Sequence, residues 1–133
     1  MEEIWNKLYK AAKAVQKEIR ISENMTAGEV SAAIESESGK IYTGVCVDTA
    51  CSLGVCAERN AMFNMITNGE YKIKRVLSIM PDGTTASPCG ACREFMMQLM
   101  GSDYKDVEIM ADYSKNRVVK LSELTPDWWT AKE

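Results

Sequence analysis

The sequence predicts a three-layer α/β/α sandwich, in which helices cover both faces of a mixed five-stranded sheet. The first observation is the order of the segments: after an initial hairpin, helical and β-type segments alternate along the chain. The second is its size: 133 residues, 46% of them hydrophobic, can bury one core of ordinary dimensions. We therefore expect residues 1–133 to form a single domain.

The first third of the chain predicts a helix followed by the hairpin. Residues 3–19 carry apolar side chains at helical spacing with Lys and Glu between them, which indicates an amphipathic helix on the core. Residues 22–28 are mostly polar and read as a loop. Segments 29–35 and 40–47 are short and rich in β-formers, and the polar link between them contains glycine, so two antiparallel strands are expected.

The middle of the chain predicts a helix and then a strand. Residues 55–67 have apolar side chains at helical spacing, and Asn68-Gly69 provides a stop signal. Cys56 therefore lies at the start of this helix. Residues 73–80 form an apolar run that ends at a Pro-Asp-Gly turn, which predicts a strand.

A further helix is predicted around the next cysteine pair. Ser87 is a suitable N-cap, Pro88 is a suitable first helical residue, and Gly101 is a suitable terminator. Cys89 and Cys92 then lie in the first turn of this helix.

The remaining residues predict the end of the sheet. Segments 107–111 and 117–121 read as two more strands, which brings the expected count to five. Thr125-Pro126 is expected to start a short final helix.

Composition excludes several classes of protein. Sixteen basic and nineteen acidic residues give a net charge of −3 with no long run of one sign, so we expect no polynucleotide partner. We expect no membrane partner and a cytoplasmic location, because the sequence shows no signal peptide and no apolar run long enough to span a bilayer. The lack of histidine excludes Ser-His-Asp and Cys-His nucleophile arrangements and histidine-ligated metal sites.

Three of the five cysteines predict a metal centre. Cys56, Cys89 and Cys92 can hold zinc tetrahedrally and leave a fourth position for water, which is the arrangement of catalytic zinc sites. Positive helix N-termini favour the thiolates that zinc requires. Glu58 lies two residues after the first ligand, so its carboxylate can carry protons at this centre.

Two other interpretations of these cysteines remain open at this point. Cys89 and Cys92 could be a redox pair of a thiol oxidoreductase, or half of a structural zinc site without turnover. Cys51 could close such a structural site as a fourth thiolate. Glu58 and Pro88 favour the open site, since zinc-dependent base deaminases combine a Glu near the first ligand with a later Pro-Cys-x-x-Cys. Cys46 and Cys51 are then expected to be small buried residues.

These motifs carry a family resemblance. Cys56-Ala57-Glu58-Arg59 and the Pro-Cys-Gly-Ala-Cys run at 88–92 resemble the cytidine deaminase superfamily, within it the small three-cysteine group of cytidine deaminases and blasticidin S deaminases. Segments 30–34 and 39–45 resemble the paired strands of that group, and residues 124–129 resemble its aromatic C-terminal end.

The resemblance implies a zinc-dependent hydrolytic deaminase that releases ammonia from a cytosine-type free nucleoside or related small molecule. It places both ligand-bearing helices on one side of the sheet. It also gives roles to five further residues: Arg59 as a donor to cysteine sulfurs, the Ala57 N–H as a contact of the ring, the Ser87 carbonyl facing the leaving amine, and Trp128 or Trp129 lining a substrate pocket of their own or a neighbouring chain. A homo-oligomer, most simply a homotetramer, is implied as well.

The resemblance does not extend to the residues with which typical cytidine deaminases bind the sugar. Typical cytidine deaminases carry Asn-x-Glu on the second strand for ribose hydroxyls, and this chain has Cys46-Val47-Asp48 there. Asp48 can bind a hydroxyl, whereas Cys46 is a poor partner for one. A stacking Phe is also missing, with Gly28 close to its place. The choice among cytidine, deoxycytidine and a blasticidin S-like compound is therefore open.

Overall fold

The computed structural model describes residues 1–130, which contain a six-stranded mixed sheet, four α-helices and a 3-10 helix. The elements in chain order are α1 (Glu3–Val15), β1 (Ile19–Ser22), β2 (Met25–Ser36), β3 (Ile41–Asp48), α2 (Ala57–Thr67), β4 (Ile73–Ile79), α3 (Gly90–Met100), the 3-10 helix (Gly101–Asp106), β5 (Glu108–Asp112), β6 (Arg117–Lys120) and α4 (Leu121–Leu124). Within this part of the chain, no helix combines the length and apolarity that crossing a bilayer requires.

The long strand β2 is the centre of the sheet. One edge of β2 pairs with β3 in antiparallel register, with Ser31 opposite Val45. The other edge pairs with β4, with Ser31 opposite Ile79, and beyond the end of β4 with the short strand β1. β4 and β5 are parallel, and β5 and β6 are antiparallel, so the sheet is mixed as predicted.

Helices cover both faces of the sheet, which confirms the predicted three layers. On one face, α1 buries Trp5 and Leu8 against side chains of β2, β4 and β5 that include Leu77 and Ile79. On the other face, α2 and α3 pack on the neighbouring residues of the same strands, for example Val76 and Ile109. This alternation follows from the two-residue period of a strand, and both strand faces are apolar because both are covered.

The structure corrects the predicted strand count from five to six. The sixth strand is β1, which occupies part of the predicted helix end and loop. Helix α1 ends at Val15, and the Gln16 side chain donates to the carbonyls of Glu29 and Met80 at 3.0 and 2.9 Å. The chain thus turns towards β2 and pairs with it. All four residues of β1 are exposed, so no apolar alternation marks the strand in the sequence.

Two helix starts also differ from the prediction. Ser87 and Pro88 precede α3, whose N-cap is Cys89, because the chain before them remains extended: Ala86 N–H donates to Ser78 O, and Thr85 bridges to the end of β4. The final helix α4 lies before Thr125-Pro126 instead of after it.

Helix α2 is held against the outer edge of β3. The side-chain amides of Asn60 and Asn64 donate to the carbonyls of Val45 and Thr43 at 3.0 and 3.3 Å. The helix can approach this closely because Gly44 has no side chain: a Cβ there would lie 2.3 Å from the backbone nitrogen of Ala61. This contact covers an edge strand and fixes the start of α2.

Candidate active site

The starts of α2 and α3 bring three cysteine sulfurs together. Cys56 is the N-cap of α2, Cys89 is the N-cap of α3, and Cys92 lies in the first turn of α3. The three Sγ atoms lie within 4.8 Å of one another, and those of Cys56 and Cys89 are 3.6 Å apart. The predicted convergence of two helix ends on one point is therefore present.

The donor set fits zinc. Sulfurs held at zinc–sulfur distances of about 2.3 Å in a tetrahedron lie about 3.8 Å apart, close to the spacing found here. In residues 1–130 this is the one group of three or more His, Cys, Asp or Glu side chains with metal-binding spacing, and Cys51 is not in it. The closed four-cysteine site is therefore not formed. Cys51 is exposed, contrary to the expectation of a buried residue, and Cys46 is buried as expected.

The surroundings shift the thiol pKa values of the two cysteines of α3 in opposite directions. Burial works against ionisation of Cys89, but backbone N–H groups of Cys92 and Ala91 and the neighbouring thiols lower the pKa of the Cys89 thiol. Burial and then the Glu58 carboxylate raise the pKa of the Cys92 thiol, and these effects outweigh the influence of the helix N-terminus. A divalent cation would oppose this effect by favouring thiolates.

Arg59 supplies positive charge to the sulfurs. Its Nη2 lies 3.7 Å from Cys56 Sγ. A hydrogen bond to Cys56, and a smaller contribution from one to Cys92, raise the pKa of the Arg59 guanidinium, which keeps it charged. The predicted contact between Arg59 and the cysteine sulfurs is present.

A cavity of about 590 Å³ opens beside the cysteines, within the usual size range of small-molecule sites. The side chain of Glu58 lines it and is only 5% exposed. The predicted residues that also line the cavity are Cys46, Asp48, Cys56, Ala57, Arg59, Ser87 and Cys89. Cys92 lies fully buried in the core.

Residues of β2 and β3 also line the cavity. Cys46 Sγ accepts a hydrogen bond from the Val30 N–H at 3.3 Å and contacts Asp48 Oδ2 at 3.9 Å. No side chain larger than hydrogen fits at Gly28, where φ is +88° and a Cβ would lie 1.9 Å from the Lys17 carbonyl oxygen. Val30 lines the cavity here, a role that its strand pattern did not indicate.

Trp128 does not line the cavity of its own chain. Its ring packs edge-on against Tyr104 with centroids 5.5 Å apart, and its Nε1 donates to the Glu94 carboxylate at 3.1 Å. Trp129 donates to the same carboxylate at 3.2 Å and is 76% exposed. Glu94 and its neighbour Arg93 were missed by sequence reasoning, although both directly follow the cysteine motif.

Comparisons with known proteins agree with this geometry. Residues 3–107 match the family model described as cytidine and deoxycytidylate deaminase zinc-binding region. A cytidine deaminase from Halalkalibacterium halodurans is 29% identical over 108 residues, covering 79% of this chain and 80% of that protein. One from Sporosarcina psychrophila is 36% identical over 95 residues, covering 69% and 70%.

A solved structure shows the same fold. The crystal structure of cytidine deaminase from Mycobacterium leprae superposes with a TM-score of 0.75 at 26% identity, covering 92% of this chain and 98% of that one. The two helices that carry the clustered cysteines therefore lie in a fold that this chain shares with that cytidine deaminase. The chain belongs to the cytidine and deoxycytidylate deaminase zinc-binding family and is a zinc-dependent hydrolytic deaminase.

Proposed function

We propose that this chain hydrolyses the exocyclic amino group of a free cytosine nucleoside, with cytidine as the reference substrate. The observation that carries the proposal is the buried Glu58 carboxylate on a nucleoside-sized cavity beside the three clustered sulfurs. Zinc held by these cysteines supplies Lewis acidity, which makes water a competent nucleophile near neutral pH.

Glu58 moves the protons of the reaction. Its carboxylate takes a proton from the attacking water and delivers it to the ring nitrogen next to the amino-bearing carbon. The same carboxyl group then helps to protonate the departing amine, which leaves as ammonia. Burial suits this exchange, because a carboxylate shielded from bulk water passes its proton to the substrate and not to solvent.

Two backbone groups orient the ring. Ala57 is the first residue of α2, so its N–H has no partner within the helix and is available to the substrate. We assign to it a hydrogen bond to the base. The Ser87 carbonyl, on the extended segment before α3, accepts from the amino group. Together these contacts hold the reacting carbon near Glu58.

Asp48 and Cys46 form the part of the cavity that we assign to the sugar. Asp48 is exposed and accepts a hydrogen bond from a sugar hydroxyl. Cys46 is engaged with Asp48 and with the Val30 N–H, so its thiol shapes the wall and contributes little to hydroxyl binding. The natural substrate is therefore decided mainly by Asp48 and by the shape of this wall.

We also propose that polynucleotides are not substrates and that the protein acts in the cytoplasm. The cavity wall contains the carboxylates of Glu29, Asp48 and Glu58 against the guanidinium of Arg59, an acidic balance that disfavours a phosphate backbone. Three cysteines that must remain thiolates suit a reducing compartment.

We further propose a homo-oligomer, with a tetramer as the first model. The rings of Phe63 on α2 and Phe95 on α3 pack edge-on, and Phe63 is 41% exposed, which leaves aromatic surface for a second chain to cover. Because Trp128 faces Tyr104 and not its own cavity, its pocket-lining role would lie in a neighbouring chain. Sedimentation of a stable, fully active monomer would contradict both points.

The substrate assignment is tested by measuring ammonia release by the zinc-loaded protein from cytidine, deoxycytidine, cytosine and blasticidin S. We expect turnover of at least one nucleoside of this set. An Asp48→Asn variant should raise KM for nucleosides while leaving the rate with free cytosine unchanged, since cytosine has no sugar. Equal loss with cytosine and cytidine would contradict the sugar-binding role.

A further inference from the structure

We propose that Arg93 is a positioning residue: its guanidinium fixes the metal-binding loop by tying the Pro88 carbonyl to the end of α4. This inference rests on the proposed function only because both use the zinc site. Its test measures metal binding separately from turnover.

The loop before α3 has few contacts of its own. Within residues 1–130, its last backbone hydrogen bond before the helix runs from the Ala86 N–H to the Ser78 carbonyl at 3.3 Å. Pro88 has no N–H to donate. The two residues before the ligand are thus not held by the sheet.

Arg93 provides the missing contact. Its Nε donates to the Pro88 carbonyl oxygen at 3.0 Å. Pro88 lies between Ser87, which lines the cavity, and Cys89, whose sulfur belongs to the metal group. The Pro88 carbonyl is part of the peptide plane that ends at the Cys89 Cα, so fixing it fixes the backbone from which the Cys89 side chain projects.

The same guanidinium also holds the C-terminal part of the chain. Its Nη1 donates to the carbonyl of Leu124, the last residue of α4, at 3.3 Å. A carbonyl at a helix end has no partner within the helix, so this bond satisfies it. The next residue, Glu94, accepts from the Nε1 atoms of Trp128 and Trp129. Helix α3 therefore connects the loop to segment 124–129.

The planar fork of arginine is required for this double contact. Nε and Nη1 point in fixed directions, so one side chain reaches two carbonyls from separate segments. A lysine has one ammonium group on a flexible stem and cannot hold both in the same geometry. We therefore expect Arg93→Lys to behave more like Arg93→Gln than like the wild type.

The test measures Co²⁺ binding to the metal-stripped protein through thiolate-to-cobalt absorption. Outer groups that orient metal ligands are typically worth about 10- to 100-fold in affinity. We expect the Co²⁺ dissociation constant to rise by about this factor in Arg93→Gln and Arg93→Lys, with an altered absorption band. Arg117→Gln, at an exposed arginine on β6, is the matched control and should bind Co²⁺ as the wild type does.

Each outcome decides the proposal. Folded Arg93 variants with weaker Co²⁺ binding and an altered band support it, and binding equal to that of Arg117→Gln overturns it. If Arg93→Gln does not fold, Arg93→Lys decides by the same comparison, and failure of both to fold makes Arg93 a general stability residue and overturns the proposal. A wild-type protein that binds no Co²⁺ refutes the metal site and with it the role of Arg93. If the protein binds Co²⁺ without deaminating any nucleoside, the proposed function fails and the affinity comparison still decides.

Discussion

Replacing Gly44 by Ala tests whether the close contact between β3 and α2 holds the active-site helix in place. A Cβ at this position would lie 2.3 Å from Ala61 N, 2.7 Å from Asn60 C and 2.8 Å from Ala57 O, all backbone atoms of α2. Ordinary contact distances begin near 3.5 Å, so the helix and strand must separate by about 1 Å.

That separation has a calculable cost. Overpacking costs about 1–3 kcal/mol. A shift of about 1 Å also breaks the hydrogen bonds from Asn60 and Asn64 to β3, at about 1 kcal/mol each. The total of about 3–5 kcal/mol is a large share of the usual stability of a domain. For a chain of this length it lowers the melting temperature by roughly 10–20 °C.

Thermal unfolding followed by circular dichroism measures the effect, together with the zinc content of the folded fraction. Gly90→Ala is the matched control, because a Cβ at this first residue of α3 meets nothing within 4 Å and alanine favours a helix. Gly44→Ala should melt well below the control and lose zinc, since Cys56 and Glu58 lie at the start of the displaced helix. A melting temperature within about 2 °C of the wild type, with full zinc content, would refute this reasoning.

Three further predictions concern the site. Alanine at any one of the three clustered cysteines should abolish stoichiometric zinc binding, whereas Cys51→Ala should retain one zinc per chain by elemental analysis; zinc loss in Cys51→Ala would instead support a four-cysteine site. Glu58→Gln should keep zinc and fold yet lower kcat by at least about 10²- to 10⁴-fold, because an amide cannot carry the protons, and near-normal turnover would exclude the proton-transfer role. Removing the chain from Pro126 onward should impair turnover more than zinc binding in parallel kinetic and metal assays, and equal loss of both would contradict a pocket role for this segment.

The elements that the sequence predicted well are those with a strong local signal. Cys56 and the pair at 89 and 92 lie at helix starts that local residue patterns indicate, and the match to the zinc deaminase motif predicted that they share a metal. Glu58 lies two residues after the first ligand, so its place beside the cavity follows once the helix start is fixed. The mixed sheet followed from the alternation of segments, because the apolar strands β2, β4 and β5 are covered on both faces.

The features that were mispredicted depend on backbone contacts that residue types at the helix starts do not indicate. Ser87 and Pro88 have the right local chemistry for a helix start, yet pairing of residues 84–86 with β4 keeps the chain extended and moves the cap to Cys89. The start of α4 was also not indicated by the sequence, because its cap residue is Lys120, whose N–H donates to Glu123 Oε2 at 2.6 Å. A lysine cap lacks the Ser or Thr that marks a capping box in a sequence.

The measurement that tests the central claim most directly is the production of ammonia and uridine from cytidine by the purified chain at defined zinc content. We predict turnover that rises with zinc up to one equivalent per chain, that is lost on chelation, and that returns when zinc is restored. A zinc-replete, folded chain that deaminates neither cytidine nor any related cytosine compound would contradict it, as would turnover that is unchanged after complete removal of the metal.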